Sequence, residues 1–284
     1  MEQLIERAAR DLIDSRYAIA LTGAGISTES GIADFRGPDG IWTKNPEAER
    51  RAYEAYGELL RDPKGHWEEI LTPGSFFSLF EQIGKALPNP GHCALAELER
   101  IGILKLVITQ NVDGLHQKAG SRNVIEYHGG LAKLRCMSCG SRFDRGEFDL
   151  RGLRRRNQLP PRCRNCNGVL KHDGVYFGEP IPGDVYHQSV EAAWKCDLML
   201  VCGTSAVVYP FAELPRLARQ RKTETERKTE AGIHLVEKTP AVTIIEVNAE
   251  PTPLTYERIC DYLVQGKTGE ILPKIVEEVK RTRG

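Results

Sequence analysis

Two matched cysteine pairs, Cys136-x2-Cys139 and Cys163-x2-Cys166, stand 23 residues apart. Each pair offers two thiolates from one knuckle turn. Four thiolates close a tetrahedral shell around a zinc ion and leave no position for water, so such a metal is structural. Two matched pairs weigh against a redox Cys-x-x-Cys. The other four cysteines, Cys93, Cys196, Cys202 and Cys260, lie in apolar or helical contexts and read as small buried hydrophobes.

A second set of residues suits ligand binding and proton transfer. His128 precedes Gly129 and Gly130 near the end of a short strand. Imidazole exchanges protons near neutral pH, so His128 is the natural general base, although a single His also serves structure. No Ser-His-Asp or Cys-His spacing is present, and a simple hydrolase gains no support. The run Thr109–His116 follows an apolar strand and brings Gln110, Asn111, Val112 and Asp113 to its carboxyl end. Open α/β sheets bind ligands there. Asn111 and Asp113 share a side if the backbone is extended; an Asx turn is the alternative.

Gly23-Ala24-Gly25-Ile26-Ser27 also follows an apolar strand. Its backbone N–H groups could cradle a pyrophosphate. Thr28 stands where the third glycine of Gly-x-Gly-x-x-Gly belongs, and no acidic residue closes a second strand about 20 residues on. An ordinary dehydrogenase pattern is absent, and a plain tight turn remains open. Gly203-Thr204-Ser205 and Asn248 stand at two further strand ends, suited to ribose or phosphate oxygens or simply to turns. Val175-Tyr176-Phe177-Gly178-Glu179 reads as an exposed strand edge for an extended peptide, or as a core strand entering a turn.

An alternation of apolar strands and helices must position these groups. Short apolar runs at 17–22, 104–109, 198–202 and 242–247 predict buried strands. Helical periodicity at 4–13, 92–101 and 184–195 separates them. That rhythm implies parallel βαβ units and an open α/β sheet. Residues 35–89, with Pro46, Pro63 and Pro73, and residues 131–171 interrupt it as insertions that together form a smaller lobe. Residues 221–238 carry mixed charge and predict a solvated helix extension or a flexible loop. Residues 133–166 hold ten Lys/Arg against three Asp/Glu, densest at Arg154-Arg155-Arg156. A solvated face explains this excess more simply than an acidic partner.

Composition limits the alternatives. The chain has 284 residues, 39 basic and 39 acidic, for a net charge of zero. A whole-molecule grip on nucleic acid or anionic membrane is therefore disfavoured. Hydrophobic residues make up 40%, enough for a real core, and no apolar run reaches the roughly 20 residues of a membrane span. The start MEQLIERAARDLIDS is amphipathic rather than a signal peptide. A membrane protein, a disordered chain and a secreted disulfide mini-domain are excluded, and a bacterial or archaeal cytoplasmic location is expected.

In this order, the motifs resemble the sirtuins, the NAD-dependent protein deacylases. The likeness rests on Gly23–Ser27 with Ser30-Gly-Ile-Ala-Asp-Phe-Arg36, Thr109–His116 and His128-Gly129. The cysteine pairs, Phe177-Gly178-Glu179, Gly203-Thr204-Ser205, Asn248 and Gly266–Leu272 complete it, over essentially the whole chain. The resemblance implies an α/β fold with a large Rossmann-like domain around an open parallel sheet (1–34, 90–130 and 172–284). A small lobe would combine a cofactor loop and helical module (35–89) with a zinc-ribbon module (131–171). NAD would be the co-substrate, one zinc ion structural, and acyl-lysine proteins or peptides the partners.

By position, the resemblance implies that Gly23, Ala24, Gly25 and Ser27 hold the NAD phosphates, and that Phe35 and Arg36 lie over the ribose. Gln110 and Asn111 would meet the nicotinamide ribose, Val112 and Asp113 the carboxamide, and Gly203, Thr204, Ser205 and Asn248 the adenosine half. His128 would be the general base, with Asn111 and Asp113 completing the catalytic set. Val175, Phe177, Gly178 and Glu179 would pair with the peptide backbone. The implied products are nicotinamide, O-acyl-ADP-ribose and free lysine.

Some residues depart from that pattern. Ala33 replaces a usual Pro, and Lys171-His172-Asp173-Gly174 replaces a basic-Pro-x-Val lead, which would loosen the peptide strand. Tyr56 stands where acidic-acyl specialists carry Arg, favouring acetyl or longer apolar acyl groups. The alternatives are mono-ADP-ribosyl transfer and, from another class, a catalytically inactive zinc-ribbon binding module.

Overall fold

The structure is a computed structural model that describes residues 1–37, 40–74, 83–220, 224–228, 234–238 and 241–284, with backbone alone at 224–228 and 234–238. Its strands are β1 (Ala18–Thr22), β2 (Leu104–Thr109), β3 (Val124–Glu126), β4 (Lys133–Cys136), β5 (Arg142–Asp144) and β6 (Leu170–His172). They continue with β7 (Leu198–Cys202), β8 (Glu224–Lys228), β9 (His234–Lys238), β10 (Thr243–Asn248) and β11 (Tyr262–Gln265). Six of them form one parallel sheet in the order β11-β10-β7-β1-β2-β3.

The chain winds outward from β1 to β3 in one direction, then from β7 to β11 in the other. The reversal lies between β1 and β7, the place where such sheets bind ligands. Alternate residues of β1 face opposite cores. Ala18 and Ala20 pack with the helices Glu2–Asp14, Pro90–Arg100 and Thr268–Arg283, whereas Ile19 and Leu21 pack with Gly183–Lys195 and Leu214–Arg219. A strand covered on both faces reads as an unbroken apolar run, which is why β1, β2, β7 and β10 were legible. The closing helix Thr268–Arg283 was not anticipated, although Ile271, Leu272, Ile275, Val276 and Val279 make its buried stripe.

The two insertions share one core. Trp67, from the helix Pro63–Ile70, packs with Leu134, Leu150, Leu159 and Leu170. Its indole donates to the Leu170 carbonyl at 2.8 Å. Pro46 and Pro63 start helices, where a missing N–H costs nothing, behind the caps Asn45 and Asp62. Small strands β5, β4 and β6 form an antiparallel sheet. β6 straddles the expected module boundary at 171/172, because Leu134 of β4 pairs with His172.

Two expectations are corrected. Residues 221–238 are not a helix extension or loop where described: β8 and β9 pair antiparallel, with Thr225 opposite Glu237. Charge carries no period, whereas Thr225 and Val236 are β-branched and suit strands. Residues 175–179 form no strand edge; β6 ends at His172, and Phe177-Gly178 is a turn with Gly178 at φ +80°.

Candidate active site between the two lobes

Glycine geometry builds the floor. The Gly25 N–H donates to the Gly203 carbonyl at 2.7 Å. A Cβ on Gly25 would fall 2.8 Å from that oxygen, and one on Gly203, at φ +59°, would fall 2.3 Å from the Ile26 nitrogen. The loops after β1 and β7 therefore interlock backbone to backbone at the sheet's reversal point. After Gly23 the chain enters a 3-10 helix, Ala24–Ser30, rather than an α-helix.

Ser27 joins the two polar residues after β2. Its hydroxyl accepts from Asn111 Nδ2 at 3.0 Å and donates to Asp113 Oδ2 at 2.8 Å. Asn111 also donates to the Gly23 carbonyl, and Asp113 Oδ1 accepts the Leu115 N–H. Behind them lie two buried histidines that the sequence reading passed over. His92 Nε2 is 3.4 Å from Ser27 Oγ, and His116 Nε2 is 2.9 Å from Thr22 Oγ1. Burial pushes His92 down to about 4 and His116 to about 3, so both are neutral at pH 7. His92 left a sequence signal, the Asn89-Pro90 cap ahead of a helix, in which His92 returns a bond to the Asn89 N–H.

His128 follows β3 and is half-buried. Burial pushes its pKa down to about 4, with its Gln110 contact pulling the other way. Its Nδ1 lies 3.2 Å from the Gln110 carbonyl oxygen, which can only accept. Nδ1 therefore carries the proton, and Nε2 is the ring's acceptor. The next residue must be glycine: Gly129 has φ +70°, and a Cβ there would fall 2.2 Å from the Asp173 carbonyl oxygen.

Gln110 Nε2 donates to Thr204 Oγ1 at 2.8 Å. Asn248 clasps the Thr204 backbone, accepting from its N–H at 3.0 Å and donating to its carbonyl at 3.2 Å. Thus loops after β1, β2, β3, β7 and β10 meet. They open on one cavity of about 990 Å³, shared with the small lobe. Every residue expected to meet NAD, act in catalysis or flank the peptide lines it except Gly23, whose carbonyl accepts from Asn111. At its mouth the Arg36 guanidinium lies 4.4 Å over Trp42, and Phe177 packs on Trp42 and Tyr53 at 5.5 and 4.6 Å.

Residues 175–179 are drawn inward by charge. Glu179 Oε2 accepts the Tyr176 N–H and lies 3.0 Å from the buried Lys171 ammonium, while Oε1 accepts from Arg135 at 2.8 Å. Lys171 also donates to the His172 and Gly174 carbonyls. The Val175 N–H donates to the His128 carbonyl at 2.8 Å, tying this wall to the residue that would do proton transfer. Glu179 is therefore committed to shaping the wall, and Val175, Phe177 and Gly178 remain available beside the cavity.

The four cysteine sulfurs lie within 4.8 Å of one another. Cys136 and Cys166 approach to 3.5 Å and Cys139 and Cys163 to 3.7 Å. Disulfides need about 2.05 Å. A tetrahedral shell with zinc–sulfur bonds of about 2.3 Å requires sulfurs about 3.8 Å apart. Backbone N–H groups of Ser138, Cys139 and Asn165 point at Cys136 and Cys163, as thiolate ligands require. The donor set fits zinc.

Comparison with known proteins places the chain in a family. The Sir2 family model matches residues 23–210. The chain is 44% identical to NAD-dependent protein deacylase 2 of Archaeoglobus fulgidus, over 100% of this chain and 99% of that protein. It is 43% identical to NAD-dependent protein deacylase 2 of Pyrobaculum aerophilum, over 95% and 94%. It resembles the solved structure of a Sir2 homolog–NAD complex (TM-score 0.72, 36% identity, 100% and 95% covered). It also resembles Sir2Af2 bound to a myristoylated histone peptide (TM-score 0.64, 39% identity, 100% and 99% covered). This chain belongs to the Sir2 family.

Proposed function

We propose that this protein removes acyl groups from protein lysines with NAD as co-substrate, releasing nicotinamide and O-acyl-ADP-ribose. One observation carries the reading: a single cavity joins the interlocked glycine loops, the Asn111–Ser27–Asp113 constellation, a neutral His128 and the 175–178 wall. NAD supplies an electrophilic ribose carbon once nicotinamide departs.

The chain's own groups then have distinct tasks. Gly23, Ala24, Gly25 and Ser27 present the loop to the phosphates, and Gly203, Thr204, Ser205 and Asn248 receive the adenosine half. Asp113 and Val112 hold the carboxamide; Gln110 and Asn111 meet the ribose; Phe35 and Arg36 cover it. His128, with Nε2 accepting, takes a ribose hydroxyl proton. Val175, Phe177 and Gly178 flank the peptide, with Glu179 bracing them. Zinc, held by Cys136, Cys139, Cys163 and Cys166, braces the small lobe. In the two solved complexes named above, the homologues hold NAD and a myristoylated peptide.

The binding-module alternative loses ground on its own residues. Arg154 is engaged by the Leu71 carbonyl and Thr72, and Arg156 by Asp149 and Gln158. No described helix is long and apolar enough to cross a membrane. The test is a mass-spectrometric assay on acetyl-, butyryl-, myristoyl- and succinyl-lysine peptides, with and without NAD. NAD-dependent acyl loss with O-acyl-ADP-ribose formation is expected, least for succinyl. Labelling of protein by NAD without acyl loss would transfer the assignment to ADP-ribosylation.

A further inference from the structure

Glu246 stands in β10 between β7 and β11 and is fully buried. No Lys, Arg or His pairs with it among the described residues. A buried carboxyl group without a cation costs stability, and an apolar residue would serve a strand better. Its partners are instead three neutral donors. Thr255 Oγ1 and Cys260 Sγ (3.6 Å) donate to Oε2. Asn248 Nδ2 donates to Oε1 at 2.8 Å.

That last bond bears on the cleft. Asn248 faces the Thr204 peptide, whose N–H can only donate, so Asn248 Oδ1 must turn toward it. Nδ2 then has two hydrogens to place. One meets the Thr204 carbonyl at 3.2 Å, and the other meets Glu246 at the shorter 2.8 Å. Asn248 and Thr204 both line the cavity; Glu246 does not. Thr204 Oγ1 in turn accepts from Gln110, whose carbonyl faces His128 Nδ1.

We propose that Glu246 is a positioning residue for the dinucleotide. It fixes the plane of the Asn248 amide and, through it, the Thr204 loop that receives the adenosine half. The inference rests on reading the cleft as an NAD site and adds a group that touches no ligand. Its requirement is an acceptor at a set reach rather than a charge. Glu246→Gln keeps the acceptor at that reach, with its amide nitrogen turned to the Thr255 hydroxyl. Glu246→Asp keeps the carboxyl group and withdraws it by one methylene.

The experiment is calorimetric binding of ADP-ribose to the intact protein, with melting curves on every variant. Glu246→Asp is expected to weaken binding about tenfold. Glu246→Gln should stay within about threefold of the unchanged protein. In an Asn248→Ala background, Glu246→Asp should add less than about twofold, because the two act as one unit. KM for NAD should rise with the dissociation constant, while KM for the acyl-peptide holds.

A Glu246→Asp protein that melts lower but binds ADP-ribose normally overturns the proposal, leaving Glu246 a packing residue. So does full additivity with Asn248→Ala. If Asn248→Ala itself binds ADP-ribose normally, the assignment of the adenosine half fails, which is a separate outcome.

Discussion

His128 Nδ1 lies 3.2 Å from the backbone carbonyl of Gln110, so a group expected at one end of the nicotinamide pocket also sets the tautomer of the proton acceptor. Since that carbonyl cannot donate, Nε2 is left to accept. His128→Ala should lower turnover by about 10²- to 10⁴-fold, the usual worth of a positioned base. ADP-ribose binding and the melting curve should change little. A variant with full turnover removes His128 from the mechanism.

The same imidazole predicts a pH profile. Burial holds its pKa near 4, so the neutral form persists well below pH 6.5. For a base, activity falls as pH drops through its pKa. The acid limb of kcat/KM should therefore lie below pH 5, without an inflection near 6.5. A limb at 6.5 would mean that His128 is solvated in the free enzyme.

Acid stability follows from the other buried rings. His92 and His116 are neutral in the fold, near 4 and 3, and would protonate near 6.5 when unfolded. Between those values the unfolded state binds more protons, so stability rises with pH and is lost on acidification. For His92 alone the upper limit is about 3 kcal/mol. Denaturant melts at pH 7, 6, 5 and 4.5 should show a progressive loss, reduced in His92→Asn. A flat profile would place the protonated rings in contact with an anion instead.

The interlocked loops give a steric prediction. Gly203→Ala puts a Cβ 2.3 Å from the Ile26 nitrogen, in a backbone region that costs a non-glycine residue about 1 kcal/mol or more. The loop after β7 must separate from the loop after β1. ADP-ribose affinity should fall more than about tenfold and the melting temperature should drop. Gly57→Ala, where a Cβ meets open space inside the helix Pro46–Arg61, is the control and should be neutral or slightly stabilising.

How far the sequence reveals this site depends on distance along the chain. Asn111 and Asp113 stood out because both follow one apolar strand. Their actual join, through Ser27, spans more than 80 residues and leaves no local spacing. The metal set was legible because each knuckle is local. The inward turn of Glu179 was not, because its cause is Arg135 and Lys171, on β4 and β6, and only the folded sheet brings them together. Glu246 looked like an ordinary polar residue in a strand, since its three donors come from two residues downstream and beyond. Strands covered on both faces announce themselves by composition. Walls shaped by buried ion pairs do not.

Zinc removal should act on one lobe. With the metal gone, sulfurs at 3.5 and 3.7 Å have nothing to hold them, and the core around Trp67, Leu134 and Leu170 loses its clamp. Hydrogen exchange after chelation should rise across residues 133–172 while β1, β2 and β7 keep their protection. Uniform protection throughout would mean that the hydrophobic cluster alone holds the lobe.

The link from that lobe to substrate runs through Lys171. Its side chain is 2% exposed, and its ammonium donates to two carbonyls and faces Glu179, which in turn holds the Tyr176 N–H. Lys171→Met removes the donor to those carbonyls and leaves Arg135 as the one cation on Glu179 among the described residues, so the 175–178 wall should slacken. KM for the acyl-peptide should rise about tenfold and KM for NAD by less than about twofold. Burial also pushes the Lys171 pKa down to about 8. Above that pH the ammonium loses its charge, so the peptide KM of the unchanged enzyme should climb from pH 8 to 9.5. The climb should vanish in Lys171→Met, which has no proton to lose. A rise shared equally by NAD and peptide would place the effect in the whole cleft and not in this wall.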